Sequence, residues 1–398
     1  MKIQLMVIFG GRSVEHEVSI ISAIQAIHHI DKSQYDVIPV YVSKEQKLYT
    51  GKDIASIEQY RNIPRLLSKS TQVVLVKENE KVYLTDSPFS KKFRKLKQQI
   101  DIAFPIVHGY HVEDGGIQGF LQMVDLPFIG CDVISSAVGM DKHVMKAVLK
   151  DFSIPVLDCS VYTKYEYENG CVLSAIKEKF SYPVIVKPAT LGSSIGIAKA
   201  GDDTELEEAL DAAFSFSTKV LVEPAITQLR EINCSVVGDA EEAEASECEE
   251  PLNATSILSY EDKYMANASK NPKAQGMASL SRQIPANIPA EMRKEIRQLA
   301  VKTFQALGCN GVARIDFLLD GKDNKIYVNE INTIPGSLSF YLWEPLGISY
   351  TKLIDRLVQL CRKRIRTEKE LLQSFDTNLL SLCQDSSLGG AKNKVSPK

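Results

Sequence analysis

Val312-Ala313-Arg314-Ile315-Asp316-Phe317, answered downstream by Asn329-Glu330-Ile331-Asn332-Thr333, is the pair of stretches that decides how this chain folds. In each, apolar residues alternate with polar ones at the two-residue period of a strand. The turn-rich Asp320-Gly321-Lys322-Asp323-Asn324 between them predicts a hairpin. On that hairpin Asp316, Glu330 and Asn332 emerge together as three hard oxygen donors beside the guanidinium of Arg314. Mg²⁺ takes carboxylate and amide oxygens in octahedral geometry and completes its shell with phosphate and water. The cluster therefore predicts a metal-nucleotide site better than an all-protein cage. Arg314 suits a phosphate or a developing oxyanion. Acidic residues at strand ends are often solvated caps, but Glu-x-Asn at hairpin distance from Arg-x-Asp favours a site.

The chain of 398 residues is long enough for two or three domains with sizeable cores. A charged fraction of 24%, an apolar fraction of 44% and a net charge of −3 leave no basic excess to recruit nucleic acid. The opening run, Met1 to Gly11, is too short to span a bilayer and ends in a Gly pair, so it reads as a first core strand, with no membrane partner expected. Eight cysteines are scattered without Cys-x-x-Cys pairing or histidines at zinc-ligand spacing. They predict reduced, mostly buried thiols in a cytoplasmic protein.

Strand and helix alternate at the start: Ile3 to Phe9, a helix from about Val18 to Ile30, a strand near Val37 to Val42, and another at Ile102 to Val107. This pattern predicts an α/β, doubly wound parallel-sheet domain over residues 1–134. A central part, 135–222, holds a helix from Met140 to Lys150 and a strand from Pro183 to Lys187. A third part, 223–365, carries the metal-like cluster. Within it, the acidic run Asp239 to Glu250 reads as a solvated loop or hairpin tip. From about Thr367 the apolar periodicity stops, so 366–398 reads as a frayed tail.

Val184-Ile185-Val186-Lys187-Pro188 is a buried strand delivering a lysine, followed by the small-residue loop Thr190-Leu191-Gly192-Ser193-Ser194-Ile195-Gly196. Gly192 and Gly196 permit close backbone approach, while the amides and hydroxyls of Ser193 and Ser194 can wrap phosphate oxygens. No Gly-Lys-Ser/Thr closes the loop onto a helix, so this is not a Walker pattern. Lys142 at a helix start supplies a second cation. Glu223-Pro224-Ala225-Ile226 reads as an extended hinge whose backbone pairs with an adenine edge while Glu223 takes the amino group. Glu231, close behind, suits ribose hydroxyls.

Taken together, several motifs resemble, in order, those of the bacterial D-alanine-D-alanine ligases of the ATP-grasp superfamily, over about residues 1 to 365. They are Gly10-Gly11-Arg12-Ser13-Val14-Glu15-His16-Glu17, His108-Gly109-Tyr110-His111-Val112-Glu113-Asp114-Gly115-Gly116, Met140-Asp141-Lys142, Lys187-Pro188 with Gly192-Ser193-Ser194, Lys263-Tyr264, Arg314-Ile315-Asp316, and Asn329-Glu330-Ile331-Asn332-Thr333-Ile334-Pro335-Gly336. The resemblance implies an α/β (α+β) ATP-grasp fold with ATP between its central and carboxyl-terminal parts. Lys142 and Lys187 would lie on the phosphates, and Asp316, Glu330 and Asn332 on two Mg²⁺ ions, with Mn²⁺ able to substitute. Glu15 matches the acid that holds the first substrate's ammonium. Ser193 and Tyr264 match its partners in a loop-closing link, and Lys263 belongs to the nucleotide set. His108 lies near the substrates and Arg314 stabilises the tetrahedral oxyanion. Lys263-Tyr264 points to an amine as the second nucleophile. Relatives pair through their amino-terminal domains, which implies a homodimer.

Two departures stand out. Val112 replaces a common glycine, and Ser337-Leu338-Ser339-Phe340-Tyr341 is a shortened bridge to Leu342-Trp343-Glu344. The Gly336 amide, Ser337 and Leu338 are the candidates for the second substrate's carboxylate pocket. D-Alanyl-D-alanine synthesis for peptidoglycan is the expected function. The alternatives are a ligase adding D-serine or another D-amino acid, and a nucleotide-binding regulatory protein without turnover. The complete set Lys142, Lys187, Arg314, Asp316, Glu330 and Asn332 weighs against the last.

Overall fold

Strand β1, Ile3–Gly10, is buried from Leu5 onward, as a parallel strand covered on both faces must be. The structure, a computed structural model, describes residues 2–89, 95–192, 195–252 and 282–371. β1 pairs in parallel with β2 (Tyr35–Val42) and β7 (Ile102–Ile106), the helix His16–His29 making the first crossover. An antiparallel meander extends this parallel core: β3 (Leu48–Thr50), β4 (Thr71–Glu78), β5 (Lys81–Asp86) and β6 (Lys97–Ile100), in the order β6-β5-β4-β3-β2-β1-β7. The doubly wound reading thus describes the three-strand parallel core. The meander depends on tight turns such as Asn79-Glu80, both at positive φ, which suit the twist of a hairpin.

The second sheet is antiparallel: β8 (Ser160–Thr163), β9 (Val184–Pro188), β10 (Ala198–Ala200) and β11 (Lys219–Pro224), in the order β10-β9-β11-β8. Helix Asp203–Phe216 lays Leu206, Ala209, Leu210 and Ala213 against Val184, Val186, Val220 and Val222. The third sheet contains β12 (Leu229–Gly238), β13 (Ala243–Pro251), β14 (Arg282–Gln283), β15 (Gly311–Asp320) and β16 (Lys325–Asn332), in the order β14-β13-β12-β15-β16. One face, with Ile232, Cys234, Val236, Ile315 and Phe317, packs on Ile296, Ala300 and Phe304 of helix Ala290–Ala306. Strand alternation then commits Glu231, Asn233, Arg314 and Asp316 to the other face.

Two expectations are corrected here. The helix placed at Met140 to Lys150 is two helices, Val133–Met140 and Lys142–Asp151, because the Asp141 side chain caps the second by accepting from His143 and Val144 amides. The acidic run is a turn only at its start. Ala243–Pro251 is a strand whose Ala245, Ser246, Cys248 and Glu249 are buried, and Arg230 binds Glu250 bidentately at 2.8 and 2.7 Å. Residues Met1–Cys361 form one compact unit, and Arg362 onward a second. The last helix, Tyr350–Lys369, passes the point where fraying was expected, and residues from 372 lie outside the described ones. The seven described cysteines are thiols, five of them buried. Among the described residues no helix is long and apolar enough to cross a membrane.

Candidate active site

The second and third sheets enclose a cavity of about 640 Å³. Lys187 enters from β9, Glu223 and Pro224 from β11, Glu231 and Asn233 from β12, Asp316 and Leu318 from β15, and Glu330 from β16, with Ala225, Ile226 and Lys142 completing the wall. Seven of the residues assigned to the nucleotide thus line one space. Ser193, Ser194, Lys263 and Tyr264 lie outside the described residues.

Lys142 stands at the first turn of its helix, where Asp141 fixes the backbone. Its Nζ donates to the Leu191 carbonyl at 2.7 Å and pairs with Glu330 Oε2 at 3.1 Å. Lys187 Nζ reaches Glu223 Oε1 at 2.5 Å and Asn329 Oδ1 at 3.0 Å. The other Glu223 oxygen accepts from Lys146 Nζ at 2.6 Å, all three side chains being buried. Burial drives the Glu223 carboxyl upward, but Lys187 and Lys146 outweigh it and keep the group ionised. The Glu223 carboxylate, expected to take the adenine amino group, holds one lysine on each of its oxygens. Sequence reading missed Lys146, although it lies one turn from Lys142 on the same helix face.

On the hairpin, Arg314 sits opposite Asn332 and Asp316 opposite Glu330. Arg314 grips Asp316 with two hydrogen bonds, Nε to Oδ1 at 2.6 Å and Nη2 to Oδ2 at 2.7 Å, and Asn332 Nδ2 adds a third at 3.1 Å. Burial opposes the guanidinium's charge, yet Asp316 holds its pKa well above the ordinary value. Two carboxylates directly opposed in a ladder repel, so this pair demands positive charge between or beside them. Arg314 and Lys142 supply it here, and a divalent cation fits the same position and donor set. Among the described residues no trio of His, Cys, Asp and Glu converges, so the set is not a closed cage. It matches a metal that shares its shell with phosphate.

Glu15 lies at the entrance to helix His16–His29 and is buried. A β-carbon at Gly109, whose φ is +86°, would fall 2.7 Å from Glu15 Oε2, and one at Gly192 would fall 3.2 Å away. Three loops therefore meet at this carboxylate. His108 is buried beside Ser22, with Nε2 and Oγ 3.1 Å apart, and burial pushes its pKa down to about 4, leaving it neutral. Glu113, not singled out in the sequence, accepts from the Gly109 amide at 3.0 Å and the Ile334 amide at 2.9 Å. Burial and the charge of Glu15 push its carboxyl up to about 7. Val112 fits because Gly11 lacks a β-carbon, which would sit 2.5 Å from Cγ1 of Val112.

The shortened segment after Gly336 is a left-handed turn, with φ of 51°, 53° and 50° at Ser337, Leu338 and Ser339, all buried. The Ser337 amide donates to Ser22 Oγ at 3.0 Å, its hydroxyl to Gln25 Oε1 at 2.6 Å, and the Leu338 amide to the Pro335 carbonyl at 2.8 Å. The donors of Ser337 and Leu338, expected to form a carboxylate pocket with the Gly336 amide, bond within the protein here.

A parallel-sheet amino-terminal domain followed by two antiparallel sheets that share a cavity lined by Lys142, Lys187, Asp316 and Glu330 is the architecture of an ATP-dependent ligase of the ATP-grasp class. The family profiles described as D-ala D-ala ligase N-terminus and C-terminus match residues 4–131 and 148–359. The chain belongs to the D-alanine-D-alanine ligase family. A D-alanine-D-alanine ligase of Thermosipho africanus is 40% identical over 96% of this chain and 99% of its own. Among solved structures, the D-alanine-D-alanine ligase from Coxiella burnetii superposes with a TM-score of 0.76 at 27% identity, covering 93% of this chain and 96% of its own. The VanG D-Ala:D-Ser ligase from Enterococcus faecalis gives 0.74 at 29%, covering 91% and 100%. A nucleotide-binding protein without turnover is thereby set aside.

Proposed function

We propose that the protein joins two D-alanines into D-alanyl-D-alanine for peptidoglycan, in the cytoplasm, as a homodimer paired through residues 1–134. ATP lies between parts 135–222 and 223–365. The observation that carries this reading is the opposed Asp316/Glu330 pair lining one cavity with Lys142 and Lys187.

In the first step a carboxylate oxygen of one D-alanine attacks the γ-phosphorus and ADP leaves, giving an acyl phosphate. In the second, the amine of the other D-alanine attacks the acyl carbon, loses a proton and expels phosphate. Asp316, Glu330 and Asn332 would hold two Mg²⁺ ions, or Mn²⁺ in their place, which neutralise charge spreading over the phosphates. Lys142 and Lys187 add fixed positive charge, Glu15 holds the first ammonium, and neutral His108 lies near the substrates. Arg314 stabilises the oxyanion of the tetrahedral intermediate. Backbone groups of Glu223 to Ile226 read the adenine and Glu231 takes the ribose; by the resemblance, Ser193, Ser194 and Lys263 belong to the nucleotide set, and Ser193 and Tyr264 are the partners of Glu15 in a loop-closing link. Closure matters because water would hydrolyse an acyl phosphate.

The test is phosphate release by purified protein with Mg-ATP and single or paired D-amino acids, with the product identified by mass. Release with D-alanine alone and a D-alanyl-D-alanine product is expected; nucleotide binding without release would defeat the reading. A second reading, D-serine or another D-amino acid as acceptor, rests on the likeness to the D-Ala:D-Ser ligase, and preference for the mixed pair would support it.

A further inference from the structure

Three side chains form one buried cluster at the cavity wall: Lys187 of β9, Glu223 of β11 and Lys146 of helix Lys142–Asp151, each at most 3% exposed. Lys187 Nζ donates to Glu223 Oε1 and Lys146 Nζ to Glu223 Oε2, so one carboxylate meets two ammonium groups. Lys187 and Glu223 line the cavity. Lys146 sits behind them, its Nζ also donating to the Leu157 carbonyl at 3.1 Å.

The second lysine is the informative one. Lys187 alone beside Glu223 would make a neutral pair, with little net field at a phosphate. Two lysines leave one positive charge over, held out of water where an unpaired charge is costly. Lys187 is where that charge faces the cavity. Its ammonium has three donors, of which Glu223 and Asn329 Oδ1 take two. Burial pulls the pKa of Lys146 down, and the Glu223 carboxylate opposes that fall.

We propose that Lys146 is a positioning residue for nucleotide binding: by balancing Glu223 from behind, it lets that carboxylate hold Lys187 in place without cancelling the charge that Lys187 offers to a phosphate. Lys146 touches no substrate and acts through Glu223 on Lys187. The inference rests on the ligase reading above and deepens it.

Calorimetric binding of the non-hydrolysable β,γ-imido analogue of ATP, with Mg²⁺, to the full-length protein tests it. The variants are Lys146→Met and the pair Lys146→Met with Glu223→Gln. The single variant makes the cluster neutral and is expected to weaken binding roughly tenfold or more. The double variant restores one net positive charge, on Lys187, and should bind within about threefold of wild type. A lysine that served only to hold the fold would give the opposite order, because the double variant loses more of the buried cluster. In steady-state kinetics Lys146→Met should raise KM for ATP by a similar factor and leave KM for D-alanine within about twofold. If Lys146→Met does not fold, the double variant decides alone: binding close to wild type supports the charge balance, and a tenfold loss overturns it. Unchanged binding in Lys146→Met, or no recovery in the double variant, would also overturn the assignment. Wild type that fails to bind the analogue would instead defeat the nucleotide reading itself.

Discussion

Asp316 and Glu330 face each other across β15 and β16, an arrangement two carboxylates keep only where positive charge is supplied. Glu330→Gln should therefore lower kcat by about 10² to 10³ or more, while far-ultraviolet dichroism stays that of wild type. Near-normal turnover in that variant would remove the metal assignment. Glu113 offers a pH test. Its carboxyl ionises at about 7, against an ordinary 4.5, because burial and Glu15 disfavour the charge. The folded state thus keeps a proton that the unfolded chain has lost, so this group's contribution to stability declines as pH rises from 4.5 through about 7. Above pH 7 the second negative charge strengthens the hold on an ammonium at Glu15. KM for the first D-alanine should fall through that pH in wild type, and the inflection should vanish in Glu113→Gln. An identical profile in both would contradict this account. With its pKa near 4, His108 should contribute no inflection between pH 6 and 7.

At the scale of elements, the left-handed turn at Ser337, Leu338 and Ser339 is the most strained part of the site region. Each non-glycine residue there costs about 1–2 kcal/mol, and the Ser339 hydroxyl is buried with no partner among the described residues. Ser339→Gly should raise stability by about 1 kcal/mol after the added chain entropy is offset, read as a higher urea midpoint at unchanged slope. A lower midpoint would contradict the strain argument. This turn was illegible in the sequence because no glycine announces its positive φ. By contrast, the β15–β16 hairpin was legible because alternation and turn residues agreed on it, although the register shift between Asp316 and Phe317 was not. The Asp239 to Glu250 run was misread because its acids were counted without asking which alternate positions, Ala245 and Cys248 among them, faced the core. The Lys146–Glu223 pair was illegible because the two residues are distant in sequence and only the fold brings them together.

At the scale of the whole molecule, the second and third sheets each present a polar face to one cavity while keeping their apolar faces for separate helices. The motif order along the chain made that architecture legible; the three-loop meeting at Glu15 depended on tertiary register. Light scattering of the purified protein should report a dimer, and a monomer at all concentrations would remove the proposed pairing through residues 1–134. The claim on which everything rests is that a nucleotide lies between these two sheets with its phosphates at Asp316 and Glu330. A crystal structure with Mg-ADP tests it most directly. The account predicts adenine against Glu223 to Ile226, phosphates within reach of Lys142 and Lys187, and cations bound by Asp316, Glu330 and Asn332. Nucleotide bound elsewhere, or those carboxylates turned away from any cation, would contradict it.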